Sequence, residues 1–206
     1  FYQRIESSEE LKYFTKKLLK QKIVAFDSNS LKVKKAVLNV YKSITRNIVL
    51  SNSLENAEMS KVIENIQRDI NIAFMNEIFM VSNKLNLDFV EVIKLAKTKW
   101  NFLNFFPGLV GGHCLPVDPY YLYSLAKKSG HNAKFMLAGR SVNDQLVDFL
   151  ENSISNILKK NKIKKVLFCG LTYKPDVADI RNSLSLKLFN KLNRKKIKLD
   201  GYDPVL

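Results

Sequence analysis

From Leu54 to about Asn86 the chain holds no glycine or proline, and apolar residues recur at Met59, Val62, Ile63, Ile66, Ile70, Ala73, Phe74, Ile78, Val81 and Leu85. Steps of three and four residues are the mark of a helix. At 1.5 Å per residue this one would span roughly 50 Å. Helices of that length pack against a second copy or lie buried within one chain, and spacing alone leaves both open. Upstream the rhythm is different. Ser7 with Glu10 forms a capping-box pattern ahead of a helix to about Lys20. KIVAF (22–26) reads as a strand, 31–45 as a helix and NIVL (47–50) as a second strand.

Downstream, Asp88 with Glu91 predicts a capped helix to about Lys99. A glycine–proline stretch follows. Asp118 before Pro119 reads as an N-cap and first-turn pair, and Gly130 as the stop of that helix. A further helix is expected from about Ala133 to Lys160, with Gly139 tolerated inside it. KVLFCG (165–170) reads as a buried parallel strand ending at a glycine turn, then 180–194 as a helix and 196–202 as a strand. The order is sheet fragment, helical middle, sheet fragment, an α/β arrangement. There is no G-x-G-x-x-G fingerprint, and a lone Gly170 after a strand says little. The chain starts at Phe1 and stops just past a strand, so a piece of a longer protein is expected.

Composition narrows the classes. No run of eighteen apolar residues exists, so no membrane span is expected. No signal peptide is visible and two cysteines make no disulfide framework, which suggests a reducing, cytoplasmic compartment. The net charge of +15 raises nucleic acid as a partner. The lysines are scattered, however, with short clusters at 15–22, 32–35, 159–165 and 194–198, and no aromatic–basic interleaving accompanies them. A solvated lysine surface explains the charge, and no nucleic-acid partner is expected.

Two features carry chemistry. Cys114 lies in PGLVGGHCLPVDPYYL (107–122), four residues before Asp118, in a loop whose glycines permit close approach of backbone to a ligand. The thiolate is the nucleophilic form of cysteine, and positive charge or a helix N-terminus favours it. Spacing leaves a reactive cysteine and a small packed loop residue both open. Cys169, inside VLFCG, is expected in the core. His113 and Cys114 are adjacent and so point apart, which argues against a dyad. Two histidines and two cysteines without ligand spacing argue against zinc. The second feature is Glu58, Lys61, Asn65 and Arg68, at helical steps on one face. A solvated stripe with one Glu–Lys pair worth about 0.3 kcal/mol would explain it. So would a lysine and an amide aimed into a pocket to stabilise a developing oxyanion.

ENAEMSKVIENIQRDINIAFMNE, TKWNF, PGLVGGHCLPVDPYYL, LAGRSVND and GLTYKPDVADIRNS occur in this order. The chain thereby resembles the UDP-glucose/GDP-mannose dehydrogenase family over about residues 45–206, most of all its branch acting on UDP-N-acetylhexosamines in capsule and O-antigen synthesis. The resemblance implies an α/β protein with a central all-helical dimerisation domain and partial Rossmann-like sheets at both ends. Residues 1–50 would end an N-terminal NAD-binding domain. Residues 51–160 would form the dimerisation and catalytic domain, and 161–206 would begin a UDP-sugar-binding domain. The G-x-G-x-x-G would lie upstream of Phe1. A homodimer through the long helix is implied, with NAD as cofactor and no metal.

The implied reaction is a four-electron oxidation of a sugar C6 to the uronic acid. Cys114 matches the family nucleophile, which forms a thiohemiacetal and then a thioester. Lys61 matches the lysine that stabilises the C6 oxyanion, Asn65 its amide partner, and Asp118 the aspartate that orients lysine and water. Phe105, Pro107, Gly108, Gly111 and Gly112 match the segment lining sugar and nucleotide. Tyr173 and Lys174, in GLTYK, match the UDP-sugar contact, and Arg181, in DIRNS, the NAD contact. Two departures stand out. Gln3 occupies a position where the family often has glutamate near the hydrolytic water, and Phe106 one where some relatives carry arginine or another polar residue. The alternatives are a non-catalytic dimerisation remnant and a UDP-glucose 6-dehydrogenase. The chain by itself, lacking most of both nucleotide-binding domains, is expected to be inactive.

Overall fold

A computed structural model describes residues 23–25, 30–45, 47–195 and 197–206. The helix expected up to Lys20 and the Gln3 departure lie outside the described residues. The chain divides into two units, one up to Ile63 and one from Glu64 onward.

In the first unit, β1 (Ile23–Ala25) and β2 (Ile48–Leu50) pair in parallel, Ile23 opposite Ile48 and Ala25 opposite Leu50. Parallel neighbours need a crossover, and α1 (Leu31–Ile44) supplies it. Val37, Leu38 and Tyr41 form its half-buried face at helical spacing. The helix stops at Thr45, whose N–H donates to the Tyr41 carbonyl and whose Oγ1 accepts from the Asn47 N–H.

Helix α2 (Leu54–Lys84) begins in the first unit and runs into the second. From Glu64 on, its two sides are unlike. The buried side is half polar: Asn65, Asp69 and Asn76 stand among Ile66, Ala73 and Met75. Phe74, Val81 and Leu85, seven and four residues apart on the opposite side, are all exposed, Leu85 by 62%. The apolar periodicity therefore marks the helix correctly, but its stripe divides between the interior and an uncovered face. α3 (Phe89–Ala96) is capped as its sequence predicts, the Asp88 carboxylate accepting from Val90 N–H and Glu91 N–H. It ends at Ala96, before the expected Lys99, and passes into turns.

α4 (Asp118–Lys128) and α5 (Lys134–Lys160) follow. Gly139 brings the α5 backbone close to Ile70 and Ala73 of α2. Phe79 stacks edge-on with Phe89 and Phe149 at 5.4 and 5.8 Å, joining α2, α3 and α5. Then β3 (Lys165–Cys169), α6 (Leu184–Asn193) and β4 (Lys198–Tyr202) form a βαβ unit with β3 and β4 parallel. Val147, Leu188 and Leu192 are its fully buried centre, with Leu150, Ile154, Phe168, Leu199 and Leu109 packed around them. Leu109 belongs to the cysteine loop, so this core also seats that loop. Lys191 and Lys195 add ion pairs with Asp148 and Glu151 along the α5–α6 seam, and such exposed pairs contribute little. Among the described residues no helix is long and apolar enough to cross a membrane.

Three expectations need correction. Cys169 is exposed, not core. Strand side chains alternate, so Val166 and Phe168 turn inward while Lys165, Leu167 and Cys169 turn to a face that no described residue covers. The N-cap of α4 is Val117, with Asp118 inside the first turn. The Val117 and Asp118 N–H groups both donate to the Cys114 carbonyl, which winds the chain one residue early, and the Asp118 carboxylate is engaged elsewhere. Finally, α6 starts at Leu184, not near 180, because Asn182 is left-handed (φ 54°) and Ser183 is the cap, its Oγ accepting from Leu186 N–H.

Leu192→Ala, at a site 1% exposed, is expected to cost about 2–5 kcal/mol by removing buried methyls and leaving a cavity. Urea unfolding should show a lower midpoint at an unchanged slope.

Candidate active site

The cysteine loop, residues 105–117, is fastened at several points. At its start, Phe105 and Pro107 are half-buried and Phe106 is exposed, with Lys97 Nζ 4.1 Å above its ring. Gly108 is held by the Asn76 side chain: its N–H donates to Asn76 Oδ1 at 2.8 Å, and Asn76 Nδ2 donates to its carbonyl at 3.0 Å. A Cβ built on Gly108 would meet nothing within 4 Å among the described residues, so the backbone there faces open space. Val110 is buried. Gly111 and Gly112 need their missing side chains. A Cβ on Gly111 would lie 2.5 Å from the Asn182 carbonyl oxygen, and one on Gly112, where φ is +90°, would strike the Tyr173 ring at 2.8 Å. Gly112 N–H donates to the Asn182 carbonyl at 3.3 Å, and Asn182 Nδ2 donates back to the Gly112 carbonyl at 3.2 Å.

Beyond these glycines Cys114 stands exposed. Its carbonyl is the anchor of the turn into α4. That turn brings the Asp118 carboxylate to α2, where Oδ2 accepts from Asn65 Nδ2 at 2.7 Å. Asn65 itself is buried. Two of the four proposed catalytic residues are thus in direct contact, and Cys114 lies four residues upstream on the same turn. Lys61, one helical turn before Asn65 on α2, belongs to the first unit and is exposed. Arg68, three residues beyond Asn65 on the same face, is exposed and paired with Glu64 at 2.6 Å.

The loop after β3 comes to the same place. Gly170 adopts φ +91°, and the following Leu171 and Thr172 N–H groups converge on one oxygen of Asp203 at 2.7 and 2.9 Å. These backbone donors hold the Asp203 carboxyl below the usual carboxylate range. Tyr173 then packs on Gly112 and edge-on to His113 at 6.0 Å, and Lys174 lies exposed with its ammonium 5.6 Å from the Tyr173 ring. Arg181 is 74% exposed and grips Asp179 through Nε and Nη2. That grip, a second bond from the Arg181 N–H and the nearby His113 hold the Asp179 carboxyl at about 2. A cleft of about 720 Å³ lies between the loop and helices α5 and α6, walled by Val110, Pro116, Val117, Asn182 and Lys187 among others. Neither Cys114 nor Lys174 lines it, so the candidate site is the loop itself. Among the described residues no cluster of three or more histidine, cysteine or acidic side chains could hold a metal ion.

Comparison with known proteins places the chain in a family. Residues 55–145 match the central domain of the UDP-glucose/GDP-mannose dehydrogenase family, and 167–206 match its UDP binding domain. The chain belongs to this family. Among relatives of this dehydrogenase family, it is 43% identical over 168 residues to Protein CapL of Staphylococcus aureus, covering 79% of this chain and 40% of that protein. It is 41% identical over 165 residues to a UDP-N-acetyl-D-glucosamine 6-dehydrogenase of Pseudomonas aeruginosa, covering 78% of this chain and 39% of the relative. In structure it is similar to a UDP-N-acetyl-mannosamine dehydrogenase of Staphylococcus aureus, with TM-score 0.80, 31% identity, and coverage of 99% of this chain and 47% of that one. The chain spans about two fifths of the length of the sequence relatives it matches.

Residue reading missed the side chains that hold the site: Asp69, Asn76, Arg140, Asn143 and Asn182. Asn65, Asp69 and Asn76 do share one helical face, and polar residues recurring in an apolar helix were the available signal.

Asp179 is depressed by its partner, so its stabilising contribution is complete above the ordinary aspartate pKa near 3.9. It is lost as pH falls through about 2. Carboxyl NMR should show that low midpoint, and Arg181→Gln should return it towards the ordinary value.

Proposed function

We propose that the full-length protein is an NAD-dependent UDP-N-acetylhexosamine 6-dehydrogenase. The observation that carries this reading is an exposed Cys114 on a fastened glycine loop, four residues before an Asp118 carboxylate bonded to Asn65, in a chain of this family. Named relatives act on UDP-N-acetyl-D-glucosamine or UDP-N-acetyl-D-mannosamine, and we assign the substrate to that class.

The resemblance to the family implies the reaction and the part each residue takes in it. Asp118 is held as an acceptor by the Asn65 amide. There it orients a water, which takes up the proton leaving the C6 hydroxyl as the hydride departs. NAD, held in part by Arg181, would supply the hydride acceptor for each of the two oxidations. Asn65 supplies a donor to the C6 oxygen as charge builds there, and the resemblance assigns Lys61 the same task. The Cys114 thiolate adds to the aldehyde carbon, forming a C–S bond and a thiohemiacetal. Loss of the second hydride leaves a thioester. Water adds to it, the C–S bond breaks, and the carboxylate leaves with the thiolate restored. Two hydrides leave per sugar. The open space beside Gly108 suits a ligand against the backbone. Lys174, just past the C-terminal end of β3, suits a phosphate or ribose. Arg181 fits an anionic dinucleotide, since Asp179 engages one edge of its guanidinium and the rest is exposed.

We assign residues 1–50, 51–160 and 161–206 to the NAD-binding, central and UDP-sugar-binding domains. We also assign the protein to the cytoplasm and to capsule or O-antigen synthesis. The exposed Phe74, Val81 and Leu85 face of α2 supports a homodimer through that helix. Phe74→Glu should convert the dimer to monomer in sedimentation.

The deciding assay uses the full-length protein with UDP-N-acetylglucosamine, UDP-N-acetylgalactosamine, UDP-N-acetylmannosamine and UDP-glucose, following NADH absorbance. Two NADH per sugar are expected with one N-acetylhexosamine, and none from Cys114→Ser. Asn65→Ala should lower kcat by about 100- to 1000-fold, as loss of an oxyanion donor does. No NADH from any substrate would sink the proposal, and turnover of UDP-glucose alone would reassign it.

A further inference from the structure

The reaction as written leaves two asparagines without a role, yet both hold the cysteine loop. Asn76 is fully buried on α2, and its amide makes three bonds: two with Gly108, and one from Nδ2 to Asn143 Oδ1 at 2.8 Å. A buried amide is costly unless paired. Asn143 alone could engage its N–H, but both backbone groups of Gly108 are taken as well. Asn182 comes from the other side, on the segment before α6. Its backbone carbonyl and its Nδ2 engage both backbone groups of Gly112. Asparagine tolerates the left-handed φ of 54° that aims it there.

We propose that Asn76 and Asn182 are positioning residues, two clamps on Gly108 and Gly112 that fix where Cys114 is presented. The catalytic consequence rests on the dehydrogenase reading above. The loop needs such clamps because its glycines give the backbone much conformational freedom to lose when it is fixed. Between the clamps Leu109 packs into the α5–α6 core and Val110 is buried. Beyond them the Cys114 carbonyl is fixed by the Val117 and Asp118 N–H groups. The backbone on both sides of the thiol is thereby held, while the thiol remains exposed.

The test uses the full-length protein. Asn182→Gly keeps the left-handed backbone and the bond from Gly112 N–H, and removes only the side-chain bond. Asn76→Ala removes three bonds. In each, kcat should fall about 100-fold, the loss expected when a reacting group moves by ~1 Å, with most of the loss in kcat and not in KM. Alkylation of Cys114 by iodoacetamide, followed by peptide mass spectrometry, should change rate in the same variants. The Gly108 amide should lose hydrogen-exchange protection in Asn76→Ala. Parental kcat and alkylation in folded Asn76→Ala and Asn182→Gly would overturn the inference. If Asn76→Ala does not fold, Asn182→Gly decides by the same readouts. If the parent oxidises no UDP-sugar, the dehydrogenase reading fails, and alkylation and exchange still decide whether the clamps hold the loop.

Discussion

The second unit is organised around one buried carboxylate. Asp69 has no solvent exposure and is met by Arg140 Nη1 at 2.6 Å and Asn143 Nδ2 at 2.8 Å, both from α5. Burial pushes its carboxyl up, while the guanidinium and the amide pull it down. Taking a charge pair out of water is expensive, so such a pair is weak evidence for stability. Here Asp69 Oδ2 and Arg140 Nε even lack partners among the described residues. What the pair supplies is alignment. Nonpolar side chains can slide by a turn and still find contacts, whereas a carboxylate facing a guanidinium has one satisfactory register.

That register travels outward. Asp69 orients Asn143, Asn143 orients Asn76, and Asn76 meets the cysteine loop. Farther along the same face of α2, Asn65 meets Asp118. One helix side therefore carries both the support of the loop and a candidate catalytic contact. The βαβ unit reaches the loop independently, through Tyr173 on Gly112 and Leu109 in the α5–α6 core.

Element types and order were largely legible in the sequence, because helical periodicity, Asp88 and Gly130 state them locally. The errors fell where a tertiary partner competes with a local rule. Asp118 looks like a cap, but Asn65 takes its carboxylate. Cys169 looks like core, but only one face of β3 is covered. The loop at Asp179–Asn182 looks helical until Arg181 folds back on Asp179. Cys114, Asn65 and Asp118 could be named from motifs, whereas Asn76 and Asn182 could not, since an asparagine's importance lies in what it faces and spacing does not encode that.

The hold on Gly112 has a further consequence. It is made from an amide and a backbone, with no formal charge on either side. Neutral hydrogen bonds do not titrate in the physiological range and are not screened by salt as ion pairs are. The hold on Gly112 therefore keeps its own geometry when acidity or ionic strength changes, and any sensitivity of the loop to the medium would enter through the charged pairs behind it, Asp69 with Arg140 and Asp179 with Arg181.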